Sequence, residues 1–317
     1  MSEKSLSLKE IAEELKGAGK IILTGHENPD GDAVGSTLGL MHLLCAMGKD
    51  ASVVFDDTLP FFLSYLPGFD EITRPAETEA DILLVLDTQT DRIGKTLEKV
   101  HAKHLINIDH HKTNAGEVFD HYIEPDAAAT CEIVYKLQKE LHTPFTKEAA
   151  TCIYTGLATD TGFFRYANTS PLTMRAAADL MACGAVPNKI AESLDEKPYQ
   201  TILDIAQSLT HIERFVDGRA AGIFLDYEMA SKMETTEGFI DYVRIIQGVE
   251  IACLMKMKSE TFARVSMRSK GVDVAAIASK FGGGGHTCAA GCSIEKRFDE
   301  AKKEIAAEIT KSLEARA

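Results

Sequence analysis

Short apolar runs alternate with longer amphipathic stretches along the first half of the chain. The runs have the length and composition of buried strands, and they are Lys20 to Thr24, Ala51 to Phe55, Ile82 to Leu86 and Leu105 to Ile108. The stretches between them are long enough to cross over as helices, and one, Ala33 to Met47, ends at Gly48. This alternation predicts an α/β fold whose N-terminal sheet is mostly parallel and flanked by helices.

The same patterns predict two domains joined by helices. Ser7 and Glu10 have the spacing of a capping box at the start of a first helix. Further helices are predicted over Ala128 to Leu141, Lys147 to Ala158, Pro171 to about Phe215 with breaks near Gly184 to Pro187 and Pro198, and Arg297 to Leu313. Later strands are predicted over Ala220 to Leu225, Val249 to Met255 and Phe262 to Met267. We expect a first domain at residues 1–187, a helical connector at 188–217 and a smaller α/β domain at 218–317, with the active-site cleft between the two domains.

Residue types that bind metal ions follow several of these predicted elements. They are His26, Asp30, Asp32, Asp87, the triplet Asp109-His110-His111, and Asp160. Taken singly, each is at least as typical of an ordinary polar turn as of a metal site. Parallel sheets bind ligands beyond the carboxyl ends of their strands, where carboxylates and imidazoles suit a divalent cation. The recurrence of such residues at the ends of successive elements therefore favours one shared metal site.

Two other interpretations concern the loop that begins at Asp30. An EF-hand calcium loop starting there requires a glutamate at its twelfth position, which is Met41 in this chain, so that interpretation fails. The segment Asp30 to Val34 also resembles the nucleophile signature of haloacid-dehalogenase phosphatases, in which two aspartates act from the end of a strand. In that alternative Asp30 is a nucleophile and a lysine is needed nearby.

The ordered motifs resemble those of the DHH phosphoesterase superfamily. They comprise HENPDGDAVGS at residues 26–36, Asp87, the DHH triplet at residues 109–111, Asp160, and a glycine-rich segment at residues 282–286 that resembles the DHH-associated C-terminal domain. The two-domain layout is most similar to the NrnA-type enzymes, which degrade very short RNA and dephosphorylate 3′-phosphoadenosine 5′-phosphate. Closely related members cleave linear dinucleotides such as pApA.

The resemblance implies two divalent metal ions, preferably Mn²⁺, and hydrolysis by two-metal activation of water. By motif position, His26 and Asp30 would hold one ion, Asp32, His110 and Asp160 would hold the other, and Asp87 would bridge them. The four carboxylates among these ligands offset the charge of about plus four that two divalent ions carry.

The resemblance also assigns catalytic roles to two neighbours of the ligands. Asp109 would orient His110, and His111 would contact a phosphoryl oxygen or protonate the leaving group. Replacement of Asp32 by alanine is then expected to abolish activity while the fold persists.

Four consecutive glycines precede His286 in the predicted C-terminal domain. A flexible linker is the simplest interpretation of such a run. However, the run follows a helix-like segment, Val272 to Phe281, and between Leu254 and Arg297 eight Lys or Arg residues outnumber three acidic ones. By resemblance, the distal phosphate or base of the substrate would be held by Arg268, Gly283, Gly284, Gly285 and His286. A fixed distance from this anchor to the metals would favour substrates of only a few nucleotides.

Composition and charge narrow the class of protein. With 317 residues, of which 45% are hydrophobic and 26% charged, the chain can bury two cores. It lacks the roughly 20-residue apolar stretch of a membrane span and the apolar core of a signal peptide, so we expect a cytoplasmic protein without a membrane partner. The net charge of −14 argues against binding of long nucleic acid. The seven cysteines include no CxxC pair, and Cys288 and Cys292 lack the second pair of a zinc site.

These observations predict a metal-dependent phosphoesterase that hydrolyses short oligoribonucleotides or linear dinucleotides, as a monomer or a homodimer. Two alternatives stay open at this point. An inorganic pyrophosphatase or exopolyphosphatase would share the metal motifs but needs a denser cationic clamp for its substrate. A non-catalytic nucleotide-binding regulator would be expected to have lost at least one of the metal ligands.

Overall fold

The computed structural model describes residues 4–114, 116 and 119–315. The chain divides into two compact units, Met1–Glu196 and Lys197–Ala317. The first unit extends past the predicted boundary near residue 187, because Ile190 and Leu194 on the next helix pack against the core of this unit. None of the described helices combines the length and the apolar character needed to cross a lipid bilayer.

The first unit contains a parallel sheet covered by helices, as predicted. Its elements are α1 (Leu8–Gly17), β1 (Lys20–Thr24), α2 (Gly31–Ala46), β2 (Asp50–Val53), β3 (Thr78–Leu86), α3 (Thr96–Lys99), β4 (Val100–Asp109), β5 (Asp120–Ile123), α4 (Thr130–Leu141), α5 (Lys147–Asp160), α6 (Pro171–Ala182) and α7 (Pro187–Asp195). The predicted capping box at Ser7 and Glu10 is present at the start of α1. Among the described residues the strand order is β2-β1-β3-β4-β5, and each neighbouring pair is parallel.

This strand order determines where a ligand can bind. The chain order reverses between β1 and β3, and such a switch point leaves a crevice beyond the carboxyl ends of the two strands. His26 follows β1, Asp87 follows β3, and Asp109 is the last residue of β4. The sheet therefore brings three of the predicted site residues to one edge.

Helices α2 and α5 approach each other closely along a line of glycines. A Cβ atom added at Gly35 would lie 2.6 Å from the carbonyl oxygen of Cys152, and Cβ atoms at Gly31 and Gly39 would overlap the side chains of Thr159 and Ile153. These positions are four residues apart on α2 and share one face. Because α5 ends at Asp160, this close packing brings the Asp160 carboxylate towards the start of α2.

The second unit is a mixed six-stranded sheet with helices. Its elements are α8 (Tyr199–Leu209), β6 (Ile212–Phe215), β7 (Ala220–Leu225), α9 (Tyr227–Ala230), α10 (Phe239–Arg244), β8 (Ile251–Ser259), β9 (Phe262–Ser269), α11 (Val274–Ser279), β10 (Gly284–His286), β11 (Ala289–Ile294) and α12 (Phe298–Glu314). Within the described part of the chain the strand order is β10-β11-β9-β8-β7-β6. The prediction that the helical pattern extends to about Phe215 is wrong, because Ile212–Phe215 form β6, which pairs with β7.

Candidate metal centre

The loop after β1 holds His26 and Asp30 side by side. His26 Nδ1 lies 2.8 Å from the carbonyl oxygen of Glu27, which leaves Nε2 directed at two carboxylates, 3.8 Å from Asp30 Oδ1 and 3.6 Å from Asp87 Oδ2. A backbone carbonyl that fixes one ring nitrogen in this way is typical of a histidine that binds metal through the other. Asp30 is the N-cap of α2, where its Oδ1 accepts hydrogen bonds from the amides of Asp32 and Ala33.

Asp32 is fully buried in the first turn of α2. Its Oδ2 accepts a hydrogen bond of 2.6 Å from the amide of Thr130, and its Oδ1 accepts one of 2.9 Å from the amide of Cys131. These amides belong to the start of α4, whose N-cap residue, Ala129, provides no side-chain cap. Asp32 therefore caps a second helix while its carboxylate faces the site.

His110 lies among three carboxylates. Its Nδ1 is 3.2 Å from the carbonyl oxygen of Ala127, and its Nε2 is 3.3 Å from Asp160 Oδ2, 3.5 Å from Asp87 Oδ1 and 3.9 Å from Asp32 Oδ2. As with His26, one ring nitrogen is fixed by the backbone and the other faces acidic oxygens.

Among the described residues, three groups of side chains have the spacing of a metal site. In each group the candidate ligand atoms lie within 4.8 Å of one another, and the groups are Asp87, His110 and His111; His26, Asp30 and Asp87; and Asp32, His110 and Asp160. The last two groups contain all six residues that the motif pattern implies as ligands. Asp87 belongs to two groups and lies within 3.5 Å of His110 in the third, so it occupies the centre of the cluster.

The electrostatics of this cluster favour binding of a cation. Burial, followed by the negative charges of Asp87 and Asp30, raises the pKa of Asp32 well above its usual value. Burial and the charges of Asp32, Asp30 and Asp87 raise the pKa of Asp160 in the same direction. Burial alone would lower the pKa of His26, but Asp30 and Asp87 outweigh it and raise this pKa to about 11. Divalent cations would relieve the repulsion between the carboxylates and displace the proton from His26.

Asp109 and His111 form a hydrogen-bonded pair beside the cluster. Asp109 Oδ1 accepts a hydrogen bond from His111 Nδ1 at 2.7 Å, and Asp109 Oδ2 accepts one from the amide of the Asn114 side chain at 2.7 Å. Burial raises the pKa of Asp109, but these bonds outweigh it and hold that pKa below its usual value. Burial lowers the pKa of His111, yet Asp109 and Asp87 raise it to about 9. The Asp109 carboxylate accepts hydrogen bonds from the ring of His111 and from the backbone amide of His110, and the orientation of His110 by Asp109 stays a prediction.

Of the predicted substrate-binding residues in the second unit, Arg268 lies on β9 and residues 284–286 form β10, with β11 between these two strands. Arg268 on β9 pairs with Ala289 on β11, and Ala289 pairs in turn with His286 on β10, so the three positions form one row across the sheet. The side chain of His286 lies outside the described residues. The interpretation of the glycine run as a flexible linker is wrong, because residues 284–286 form β10 and Gly283 donates its amide to the carbonyl oxygen of Ala278.

Several residues that build the site are absent from the sequence prediction. Thr130 contacts both Asp32 and Asp87, and Asn114 holds Asp109. A lone threonine or asparagine carries little signal in one sequence. The four-residue spacing of Gly31, Gly35 and Gly39 is the one available signal, and it indicates close helix packing.

Comparisons with known proteins identify the family of this chain. The DHH family, N-terminal domain, matches residues 20–157, and the DHHA1 domain matches residues 224–314. The bifunctional oligoribonuclease and PAP phosphatase NrnA of Thermus thermophilus is 34% identical over 95% of this chain and 94% of its own. The protein of the same name from Bacillus subtilis is 29% identical, over 90% of this chain and 92% of its own.

The fold of this chain also resembles that of a solved structure. An exopolyphosphatase-related protein from Bacteroides fragilis matches with a TM-score of 0.85 and 26% identity, covering 97% of this chain and 95% of that protein. The α/β fold and the resemblance to the DHH superfamily are confirmed, and the haloacid-dehalogenase interpretation is wrong. The chain belongs to the DHH family, and its C-terminal part contains a DHHA1 domain.

Proposed function

We propose that the protein is a metal-dependent phosphoesterase that hydrolyses short oligoribonucleotides and linear dinucleotides, and that removes the 3′-phosphate of 3′-phosphoadenosine 5′-phosphate. The observation that carries the proposal is the central position of Asp87 between two complementary groups of His and Asp ligands. The names of the NrnA relatives support two of these activities, oligoribonuclease and PAP phosphatase. Intact ligand groups count against a non-catalytic regulator.

The proposed cofactor is a pair of divalent ions, preferably Mn²⁺. His26, Asp30 and Asp87 would hold one ion, and Asp32, His110 and Asp160, with Asp87, would hold the other. Oxygen and imidazole ligands of this kind suit Mn²⁺ and its neighbours. When bound, the ions would act as Lewis acids and stabilise the charge that develops on the phosphoryl group.

His111 is the proposed proton donor to the leaving oxygen. Its Nδ1 donates a hydrogen bond to Asp109, which fixes the orientation of the ring beside the cluster. The hydrogen bond from the ring to the Asp109 carboxylate favours the protonated form that an acid in this position requires. Asp109 serves this ring as a positioning residue. Arg268 and the backbone of residues 283–285 would bind the distal phosphate or base.

A substrate panel tests the proposal. The purified protein is incubated with Mn²⁺ and one substrate at a time. The substrates are pApA, short RNA, 3′-phosphoadenosine 5′-phosphate, pyrophosphate and polyphosphate. We expect mononucleotides from the first two substrates and phosphate from the third. Polyphosphate is included because a structurally similar protein is described as exopolyphosphatase-related. Release of phosphate from pyrophosphate and polyphosphate alone would overturn the proposed substrate class.

We expect Gly283→Ala to weaken substrate binding, because the added methyl group displaces strand β10. A Cβ atom at Gly283 would overlap the carbonyl oxygen of Gly291 and lie 2.6 Å from Cys292 Cβ, so β10 must shift away from β11. Overlap of this kind lowers the free energy of unfolding by about 1–3 kcal/mol. We expect a higher KM for pApA together with a lower urea midpoint.

Gly284→Ala separates the effect on the substrate from the effect on the fold. No heavy atom of the described side chains and backbone lies within 4 Å of a Cβ atom built at Gly284, so the variant should unfold at the wild-type urea concentration. If the backbone of the glycine run approaches the substrate, the KM of Gly284→Ala for pApA should still rise. A wild-type KM in Gly284→Ala would contradict that contact.

A further inference from the structure

The start of α4 contacts two candidate metal ligands at once. The amides of Thr130 and Cys131 donate to the two oxygens of Asp32, at 2.6 and 2.9 Å. The hydroxyl of Thr130 donates to Asp87 Oδ1 at 3.0 Å. Thr130 is therefore hydrogen-bonded both to Asp32, in one ligand group, and to Asp87, at the centre of the cluster.

The two contacts of Thr130 depend on different parts of the residue. Asp32 is held by backbone amides, which the first turn of any helix leaves without an intrahelical acceptor. A change of the Thr130 side chain leaves those amides in place. The orientation of Asp87, in contrast, depends on the hydroxyl group. A substitution that removes only this hydroxyl therefore tests the contact with Asp87 alone.

The orientation of the Asp87 side chain decides whether its carboxylate faces both ligand groups. Its backbone has a φ of 66°, in the left-handed region that few residues other than glycine occupy, which turns the side chain towards the cluster. Its Oδ2 lies 3.6 Å from His26 Nε2, and its Oδ1 lies 3.5 Å from His110 Nε2. The two oxygens thus face the two ligand groups. Rotation of the carboxylate away from this orientation would break the contact between the groups.

We propose that Thr130 is a positioning residue that fixes Asp87 with one oxygen directed at each metal position. The hydroxyl binds Asp87 Oδ1 and opposes rotation of the carboxylate. Thr130 is fully buried and Asp87 nearly so, so water cannot replace the lost hydroxyl without a cavity to occupy. This inference rests on the proposed dinuclear function of the cluster.

The test compares Thr130→Val, Thr130→Ser and the wild-type protein. Valine keeps the shape of threonine and removes the hydroxyl, whereas serine keeps the hydroxyl. Mn²⁺ affinity is measured by calorimetry on the metal-free protein. Binding of two neighbouring ions is followed by the electron paramagnetic resonance signal of coupled Mn²⁺. Loss of a group that orients a metal ligand typically weakens metal affinity by about 10–100-fold, and we expect this for Thr130→Val. Thr130→Ser should bind Mn²⁺ almost as the wild type does.

Thr37→Val is the matched control. Thr37 is also fully buried at a helical position, but its hydroxyl donates to the carbonyl oxygens of Ala33 and Val34 instead of a carboxylate. It should keep wild-type Mn²⁺ affinity and the coupled signal. The rise in Tm on addition of Mn²⁺ gives a second measure, which should be smaller in Thr130→Val and unchanged in Thr37→Val.

The outcomes separate this inference from the proposed function. If the wild type binds two Mn²⁺ ions and Thr130→Val binds them equally well, Thr130 is not a positioning residue and the proposed function stands. Equal loss of affinity in the serine and valine variants would assign the effect to packing and overturn the role of the hydroxyl. A wild-type protein without Mn²⁺ binding would overturn both proposals.

Discussion

Replacement of Asp87 by asparagine is expected to lower kcat by about 1000-fold or more while the protein stays folded, because metal ions supply several kcal/mol of transition-state stabilisation. An asparagine has one oxygen, so one of the two ligand groups that Asp87 faces loses its carboxylate oxygen whichever way the amide is turned. Asparagine also adopts a positive φ more readily than most residues, so the backbone at 66° can persist. The measurement is kcat on pApA at saturating Mn²⁺, with urea unfolding of the same sample.

Asp91→Asn is the matched control for this prediction. Asp91 lies four residues further along the chain in an exposed 3₁₀ turn, Thr90–Arg92, and its replacement removes the same charge. Turnover should stay close to that of the wild type. If Asp87→Asn kept most of the wild-type turnover, Asp87 would not be the shared ligand, and the dinuclear proposal would lose its central residue.

The positions at strand ends could be predicted because parallel strands align their carboxyl ends. Once the apolar runs are taken as neighbouring parallel strands, His26, Asp87 and Asp109 must approach one edge, whatever the order of the strands. Asp32 could be assigned to the same place because Pro29 and Gly31 constrain the loop that carries it. Local sequence patterns and the alignment of parallel strands are sufficient to predict the positions of these residues.

The residues that orient the ligands could not be predicted in this way. Thr130 contributes through the position of α4 relative to α2, a tertiary contact that leaves no periodic pattern in the sequence. The same is true of Asn114, which is held between Asn107 and Asp109. The strand β6 was missed for a different reason. Its four residues, Ile212–Phe215, are too short for periodicity to distinguish a strand from the last turn of a helix.

Replacement of Asp32 by alanine is expected to abolish turnover and also to destabilise the metal-free protein. The sequence motif alone predicted lost activity with the fold intact, but the structure gives this carboxylate a second role. It accepts the amides of Thr130 and Cys131 at the buried start of α4. Each buried amide left without an acceptor costs about 1–3 kcal/mol, and the relief of a buried charge offsets part of this cost. We expect the free energy of unfolding in urea to fall by about 2–4 kcal/mol, which leaves a typical domain folded.

Asp160→Ala separates the two roles, because Asp160 is predicted to bind the same ion but caps none of the described helices. It is the last residue of α5, its side chain is 25% exposed, and burial and neighbouring negative charges raise its pKa well above the usual value. Its removal relieves repulsion, so the metal-free variant should be at least as stable as the wild type although turnover is lost. Equal destabilisation of Asp32→Ala and Asp160→Ala would contradict the capping role of Asp32. If Asp32→Ala turned over substrate at saturating Mn²⁺, its assignment as a ligand would be wrong, and the bonds to α4 would be its whole function.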